Sequence, residues 1–304
     1  MMKQRFKATR FAPSPTGPLH FGSLVCAVAS YLFAKQHDAR WLVRIEDIDK
    51  QRCKPENIDD IIRCLHAHGL KEDGPIVLQS QRSELYKEYI EKLKTRQLIY
   101  ACDCSRKMIK QRARYYDGFC RERNLLRKNN ALRFKNLDCP RTFSDLHFQI
   151  QHTSLPVAHE DPVLRRADGQ YNYNLAMIVD DIEQGIDLVV RGADLLDQTP
   201  LHQHLFTSFD APAPAYFHIP LAVHSKGVKY AKQSFSPAIN NKVSSQNLAS
   251  CLVFLGIPIE TIPRHESVDT LIAWAVSAWQ PSLLARRKEI AVIQSNDVYS
   301  PHYS

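Results

Sequence analysis

Between a short apolar segment, Lys7 to Ala12, and a helical repeat that begins at Phe21, the chain places three prolines and a glycine in the six residues Pro13 to Pro18. Proline fixes φ and has no N–H to donate, so neither a helix nor a central strand can run through this stretch. The segment before it reads as a short strand and the stretch itself as a rigid loop. Behind the loop, Phe21, Leu24, Val25, Val28, Leu32 and Phe33 recur at three-to-four spacing, which predicts a helix to Lys35. The chain therefore opens as strand, loop, helix. Trp41 to Ile45 continues as a second strand, Asn57 to His68 as a helix stopped by Gly69, and Ser83 to Lys94 as another helix. Strands alternating with helices imply a parallel sheet and an α/β fold.

After Tyr100 this rhythm breaks. A cysteine cluster, a basic stretch and short extended runs at Ala131 to Lys135 and Phe148 to Gln151 read as an insertion over residues 101–162. Val163 to Tyr173, centred on Asp168-Gly169, reads as a hairpin, because Asp-Gly supplies the positive φ of a tight turn. The first rhythm then resumes, with a helix at Leu175 to Ile182, a strand at Asp187 to Arg191, a helix at Thr199 to Phe209 and one further strand at Phe217 to Val223. Residues 1–100 and 163–235 are expected to be two halves of one sheet. Residues 236–304 show only helical patterns, at Ser245 to Leu255 and Val268 to Trp279, and are expected to form a small helical domain.

The length of 304 residues and the 44% hydrophobic content suit a packed globular chain of about two domains. No apolar run approaches the roughly 18 residues of a membrane span, and the basic first ten residues have no apolar segment behind them. A cytoplasmic protein that neither enters a membrane nor is exported is expected. The net charge is +8, and Ser105 to Lys135 alone carries eleven basic residues against Asp117 and Glu122, so the basic character belongs to one segment. Charge runs are ordinarily solvated helix faces. Concentration in one stretch instead favours nucleic acid as partner.

Eight cysteines are scattered over the chain without a disulfide-like pattern. Cys26, Cys53, Cys64 and Cys251 stand alone in apolar or helical stretches and read as inert thiols. Cys102, Cys104 and Cys120 differ: they offer three soft ligands in the insertion, and a structural zinc site wants four. Cys139, Asp103 or Asp117 are open as the fourth. Asp180 and Asp181 are adjacent on a helix, face different directions and read as structural rather than as a catalytic pair.

The string Pro13-Ser14-Pro15-Thr16-Gly17-Pro18-Leu19-His20-Phe21-Gly22-Ser23 places a helix N-terminus beside the rigid loop, an arrangement that binds anions. Gly17 and Gly22 let a nucleotide approach the backbone, and His20 and Ser23 offer donors to phosphate. The string resembles the HIGH-type signature of the glutamyl branch of class I aminoacyl-tRNA synthetases, and so implies a Rossmann fold with ATP at Pro13, Thr16, Gly17, His20, Gly22 and Ser23. Many class I enzymes have a second histidine where Ser23 stands. A hydroxyl carries no charge, so phosphate stabilisation shifts towards His20, the helix end and the Mg²⁺ that accompanies ATP. Lys226 to Ser234 occupies the place of the second class I signature. There the resemblance assigns Lys229 and Lys232 to ATP, with Lys232 and His20 as the catalytic groups.

For the amino acid, the resemblance implies Arg10, Ala12, Ser14, Glu46, Tyr173 and Arg191. The set is coherent, since L-glutamate has two carboxylates for Arg10 and Arg191, an ammonium for Glu46, and a hydrogen-bond partner in Tyr173. The resemblance also implies Tyr116 as the fourth ligand of one structural zinc with Cys102, Cys104 and Cys120. It covers about Arg10 to Gln233, and the stretch after Ser234 is too short for the large anticodon-binding region of a full synthetase. A chain so truncated, with the Cys-x-Cys and Tyr-Asp-Gly-Phe-Cys patterns, is similar to the glutamyl-queuosine tRNA(Asp) branch. This implies a monomer that activates glutamate without tRNA and passes it to queuosine at the wobble position of tRNA(Asp). A short enzyme charging the tRNA 3′ end and a catalytically silent zinc-containing RNA-binding module are the alternatives.

Overall fold

A computed structural model describes residues 5–153, 160–225, 228–229, 237–295 and 298–302. In chain order the elements are β1 (Ala8–Phe11), α1 (Phe21–Gln36), β2 (Arg40–Ile45), α2 (Pro55–Ala67), β3 (Val77–Leu78), α3 (Ser83–Thr95), β4 (Ile99–Cys102), α4 (Arg106–Arg112) and β5 (Ala131–Phe134). They continue as β6 (Thr142–Asp145), β7 (Gln149–His152), β8 (Val163–Arg165), α5 (Tyr173–Glu183), β9 (Leu188–Gly192), α6 (Thr199–Ser208), β10 (Ala215–Ile219), β11 (Leu221–Ser225) and β12 (Val228–Lys229). Last come α7 (Ser244–Phe254), α8 (Val268–Ala278), β13 (Glu289–Ser295) and β14 (Val298–His302). Among the described residues no helix is long and apolar enough to cross a membrane.

The central sheet has the order β10-β9-β1-β2-β3, and every pairing in it is parallel. Strands from the two halves of the chain lie side by side at β1 and β9, as the resumed rhythm implies. Side chains alternate between the faces of a strand. Phe11, Trp41, Val43, Ile45, Leu188, Val190, Phe217 and Ile219 join α1 in the largest core. The residues between them, Arg10, Arg44, Arg191 and His218, are therefore carried to the opposite face, and all four are buried. The polar site is built by that alternation.

Helix α1 is buried along most of its length because two layers cover it. One is the sheet. The other is the C-terminal segment, from which Tyr299 stacks on Phe21 at 4.2 Å, Phe254 meets Phe21 edge-on and Trp279 meets Phe33 at 5.1 Å. Burying one such ring contributes about 1.5–3 kcal/mol, so the last segment stabilises the first half of the parallel sheet directly through α1. It holds the two expected helices, α7 and α8, together with an unexpected hairpin, β13 and β14. Only Ile290 and Val292 of β13 are buried, too short an alternation to announce itself.

Two further differences have plain causes. The single strand expected at Phe217 to Val223 is two, because Pro220 cannot donate to a ladder. Beyond it β11 leaves the parallel sheet and pairs with β13 and β12 in a separate sheet of order β12-β11-β13-β14. The expected hairpin at Val163 to Tyr173 is one short strand returning through a single bridge, Arg165 to Tyr171, with Gly169 at φ +90° in the turn. The insertion strand β5 pairs with β4 and β8, which flank it, in an antiparallel sheet that crosses both expected boundaries at 101 and 162, and β6 with β7 forms a separate hairpin.

Candidate active site

The strand alternation and helix α5 bring Arg10, Glu46, Tyr173 and Arg191 into one electrostatic neighbourhood, in which the other three act on the Tyr173 hydroxyl and burial pushes it up to about 12. Arg10 donates Nε to Asp181 at 3.0 Å. Asp181 also accepts from Arg44 at 2.7 Å, and Arg44 reaches towards Glu46 at 3.5 Å and Asp180 at 3.7 Å. Burial alone would push the Asp181 carboxyl up, but the Arg10 and Arg44 guanidiniums hold it below its usual range. Asp180 accepts from Arg82, Gln79 and Tyr86, and for this group burial wins and raises its pKa. The two carboxylates are structural anchors that share Arg44 and otherwise take different partners, Arg10 for Asp181 and Arg82, Gln79 and Tyr86 for Asp180. Burial also lifts Glu46 to about 7, against the pull of Arg44 and Arg10.

Arg191 is held differently. Its Nε donates to His218 Nε2 at 3.0 Å, one terminal nitrogen lies 3.0 Å from His202 Nδ1, and the other donates to Leu195 O at 3.1 Å and Thr199 Oγ1 at 2.9 Å. Its guanidinium also lies over the Tyr216 ring at 4.9 Å. Among the described residues no carboxylate lies within ion-pairing distance of this buried cation. Burial drives His202 well below its usual value and His218 down to about 4, so both imidazoles are neutral near pH 7. A buried guanidinium ringed by neutral acceptors keeps its charge for an anion that enters from outside.

The proline loop is clamped from behind. Pro13 O accepts the Glu46 N–H at 3.0 Å, and Pro15 O accepts from the Lys54 N–H at 3.1 Å and from Asn57 Nδ2 at 3.0 Å. Ser14 O takes the Thr16 N–H, and Ser14 itself is exposed, whereas Ala12, Thr16 and Gly17 are half-buried. His20 caps α1, with Nδ1 accepting the Ser23 N–H at 3.3 Å and Nε2 lying 3.0 Å from Ser23 Oγ. Ser23, beside Gly22 in the first turn, is thus bound to the first histidine of the signature. Lys229 ends β12, and Lys232 lies outside the described residues. Cys26 on α1 packs against the core beside the Val190 carbonyl, and burial pushes its thiol up to about 12, which keeps it inert.

In the insertion the sulfurs of Cys102, Cys104 and Cys120 lie within 4.8 Å of one another. Tyr116 sits among them with its hydroxyl accepting the Cys120 N–H at 2.9 Å. Burial pushes the Cys102 thiol up, but hydrogen bonds from Tyr116, the Cys104 backbone and Arg133 outweigh it and favour the thiolate. The three thiols make a soft donor set able to hold a metal ion, with the harder phenol oxygen of Tyr116 beside them. Asp103 also touches Cys120 Sγ, at 3.4 Å, while Asp117 pairs with Arg112 and Cys139 packs with the core around α3 and α5. The basic patch is smaller than its charge count, since Arg112, Arg121, Arg123 and Arg133 bind Asp117, Asp161, Asp103 and the Asp161 carbonyl. Arg106, Lys107 and Lys110 on α4, with Arg127 and Lys128, stay largely exposed.

Residues 8–257 match the family described as tRNA synthetases class I (E and Q), catalytic domain. The glutamyl-Q tRNA(Asp) synthetase of Idiomarina loihiensis is 45% identical over 271 residues, which is 89% of this chain and 95% of that protein. The glutamyl-Q tRNA(Asp) synthetase of Serratia proteamaculans is 39% identical over 300 residues, 98% of this chain and 99% of that protein. This chain belongs to the glutamyl-Q tRNA(Asp) synthetase family. The glutamate tRNA ligase of Elizabethkingia meningosepticum, solved in complex with its amino acid, shares the fold with a TM-score of 0.76 at 24% identity, covering 93% of this chain and 66% of that one. The glutamate-tRNA synthetase of Elizabethkingia anophelis gives 0.79 at 23% identity, covering 96% and 69%. The glutamyl-Q tRNA(Asp) synthetase family member thus has the catalytic fold of these longer ligases and matches about two thirds of their length.

Several residues of this family member's pocket escape a reading by motif. Arg44 had a signal, a lone cation in the apolar run Trp41 to Ile45, which in a buried strand requires a counter-charge. His218 and Tyr216 had a weaker one, their period-2 placement in β10. Asp145 and His202 had none, because nothing local shows that they reach the pocket.

Proposed function

We propose that this chain activates L-glutamate with ATP in the absence of tRNA, and passes the glutamyl group to queuosine at the wobble position of tRNA(Asp). The observation that carries the reading is buried Arg191, without a carboxylate partner among the described residues, acting on Tyr173 together with Glu46. Arg191 takes one substrate carboxylate, Glu46 takes the ammonium, and Tyr173 and the remaining donors of Arg10 hold the rest of the molecule, with Ala12 and Ser14 lining the entrance. Glutamine would leave a buried cation unpaired, at a cost of roughly 1–3 kcal/mol or more for a charged group. The substrate α-carboxylate attacks the α-phosphorus of ATP, a new O–P bond forms, and the bond to pyrophosphate breaks. His20, the N-terminal turn of α1 with Gly22 and Ser23, the loop at Pro13, Thr16 and Gly17, and Lys229 and Lys232 hold the phosphates and stabilise the charge that develops. Mg²⁺ bound with ATP would supply further charge neutralisation. A queuosine hydroxyl then attacks the acyl carbon and AMP leaves. The relatives' names support queuosine as the acceptor.

Cys102, Cys104, Cys120 and Tyr116 hold a structural zinc that ties β4 to the loop before β5. The exposed cations of α4 face tRNA, and the enzyme works as a cytoplasmic monomer. The test is exchange of pyrophosphate into ATP with glutamate alone, followed by labelled glutamate with tRNA(Asp) carrying or lacking queuosine. Exchange without tRNA, and label only where queuosine is present, are expected; label on the 3′ end would overturn the acceptor. Cys102→Ser should lose zinc in metal analysis, and full retention would show that the thiols are not its ligands.

A further inference from the structure

We infer that Asp145, on the insertion, is a positioning residue for the glutamate pocket: acting through His218, it sets the imidazole tautomer that holds Arg191 in place. The inference rests on the reading of Arg191 as the carboxylate-binding cation. Asp145 Oδ2 lies 2.7 Å from His218 Nδ1 and also accepts the His218 N–H at 3.2 Å. Its Oδ1 accepts the His147 and Phe148 N–H groups at 2.9 and 2.7 Å, closing the turn between β6 and β7. Both Asp145 and His218 are fully buried, and the Leu146 N–H bonds to Tyr216 O on the adjoining strand.

A carboxylate facing Nδ1 requires the proton there, which leaves Nε2 as an acceptor for the Arg191 Nε–H. The opposite tautomer would set two donors against each other at 3.0 Å. On the far side His202 Nδ1 accepts from Arg191, and its Nε2 faces Asn174 Oδ1 at 3.2 Å, so the guanidinium is fixed from both edges. The negative charge sits one ring away. It orders the arginine without pairing with it, so the cation remains available to a substrate anion. The insertion thereby contributes to a pocket otherwise made by the sheet, α5 and α6.

Two measurements test this. Nitrogen-15 NMR of the unaltered protein should show His218 protonated on Nδ1, and protonation on Nε2 would overturn the inference without any variant. In glutamate-dependent pyrophosphate exchange, Asp145→Asn should raise KM for glutamate by about tenfold or more with little change in KM for ATP or in kcat, because an amide N–H₂ facing Nδ1 drives the proton to Nε2. Simple loss of a negative charge near Arg191 would instead tighten anion binding. Adding His218→Gln should recover most of the loss, since a glutamine oxygen accepts from Arg191 whatever stands at 145; a purely structural defect would deepen. An Asp145→Asn enzyme with KM for glutamate within about twofold of the original, in a background where Arg191→Ala raises it, would sink the inference and leave the pocket reading standing. An Arg191→Ala enzyme with unchanged KM would remove the pocket reading, and this inference with it.

Discussion

Two clusters of buried arginine share one face of the same sheet and are built in opposite ways. Arg10 and Arg44 are met by Asp181, Asp180 and Glu46 and form a closed ionic network. Arg191 is met by two neutral imidazoles, a hydroxyl and a carbonyl, with an ordering carboxylate, Asp145, one histidine away. The first arrangement neutralises charge and stiffens the junction of β1, β2 and α5. The second uses hydrogen bonds to fix geometry and leaves the charge without a carboxylate partner among the described residues, which suits the anionic ligand proposed for it. Under the proposed function Arg191 serves recognition, whereas Arg44 and the Nε of Arg10 are committed to the scaffold through Asp181, and only the remaining donors of Arg10 are left for the substrate.

The difference predicts opposite responses to truncation. Asp181→Ala leaves buried Arg10 without its carboxylate and Arg44 with only its longer approaches to Glu46 and Asp180, and should cost about 3–5 kcal/mol of stability, read by chemical denaturation. A loss below about 1 kcal/mol would mean that the network is not closed as described. Arg191→Ala removes an uncompensated cation and leaves only neutral acceptors, so melting temperature should hold or rise while KM for glutamate climbs about 100-fold. A variant that instead melts early with unchanged KM would make the two clusters alike.

A finer test uses pH. The carboxyl of Glu46 has an ordinary value of 4.5 and is raised to about 7 by burial. With the folded value above the unfolded one, its contribution to stability is full below about 4.5 and is lost as pH rises through about 7. Binding of the substrate ammonium needs the ionised form. KM for glutamate should therefore fall as pH rises through about 7, with release of a proton on binding seen by calorimetry in two buffers. Glu46→Gln should flatten that dependence, and a profile that stays flat in the unaltered enzyme would remove Glu46 from the ammonium site.

Much of this was legible in the chain because it is local. Three prolines between a strand and a 3.6-residue repeat predict the loop, and the structure turns there. The apolar periods predict most of the strands and helices of the parallel sheet, and the Cys-x-Cys spacing predicts thiols that converge. The misses have local causes too. Pro220 splits a run that looks continuous, and β13 hides in a segment with two buried positions.

Motif and period determined most of the elements of the parallel sheet, and the charge and chemistry of the signature residues at its strand ends, since these depend on neighbours within a turn or a pleat. Only the tertiary structure decided which arginine is neutralised and which is left charged. That choice turns on Asp181 reaching Arg10 across 171 positions, and on Asp145 reaching His218 across 73. Electrostatic pairing is set by distance in space, and no local pattern records it.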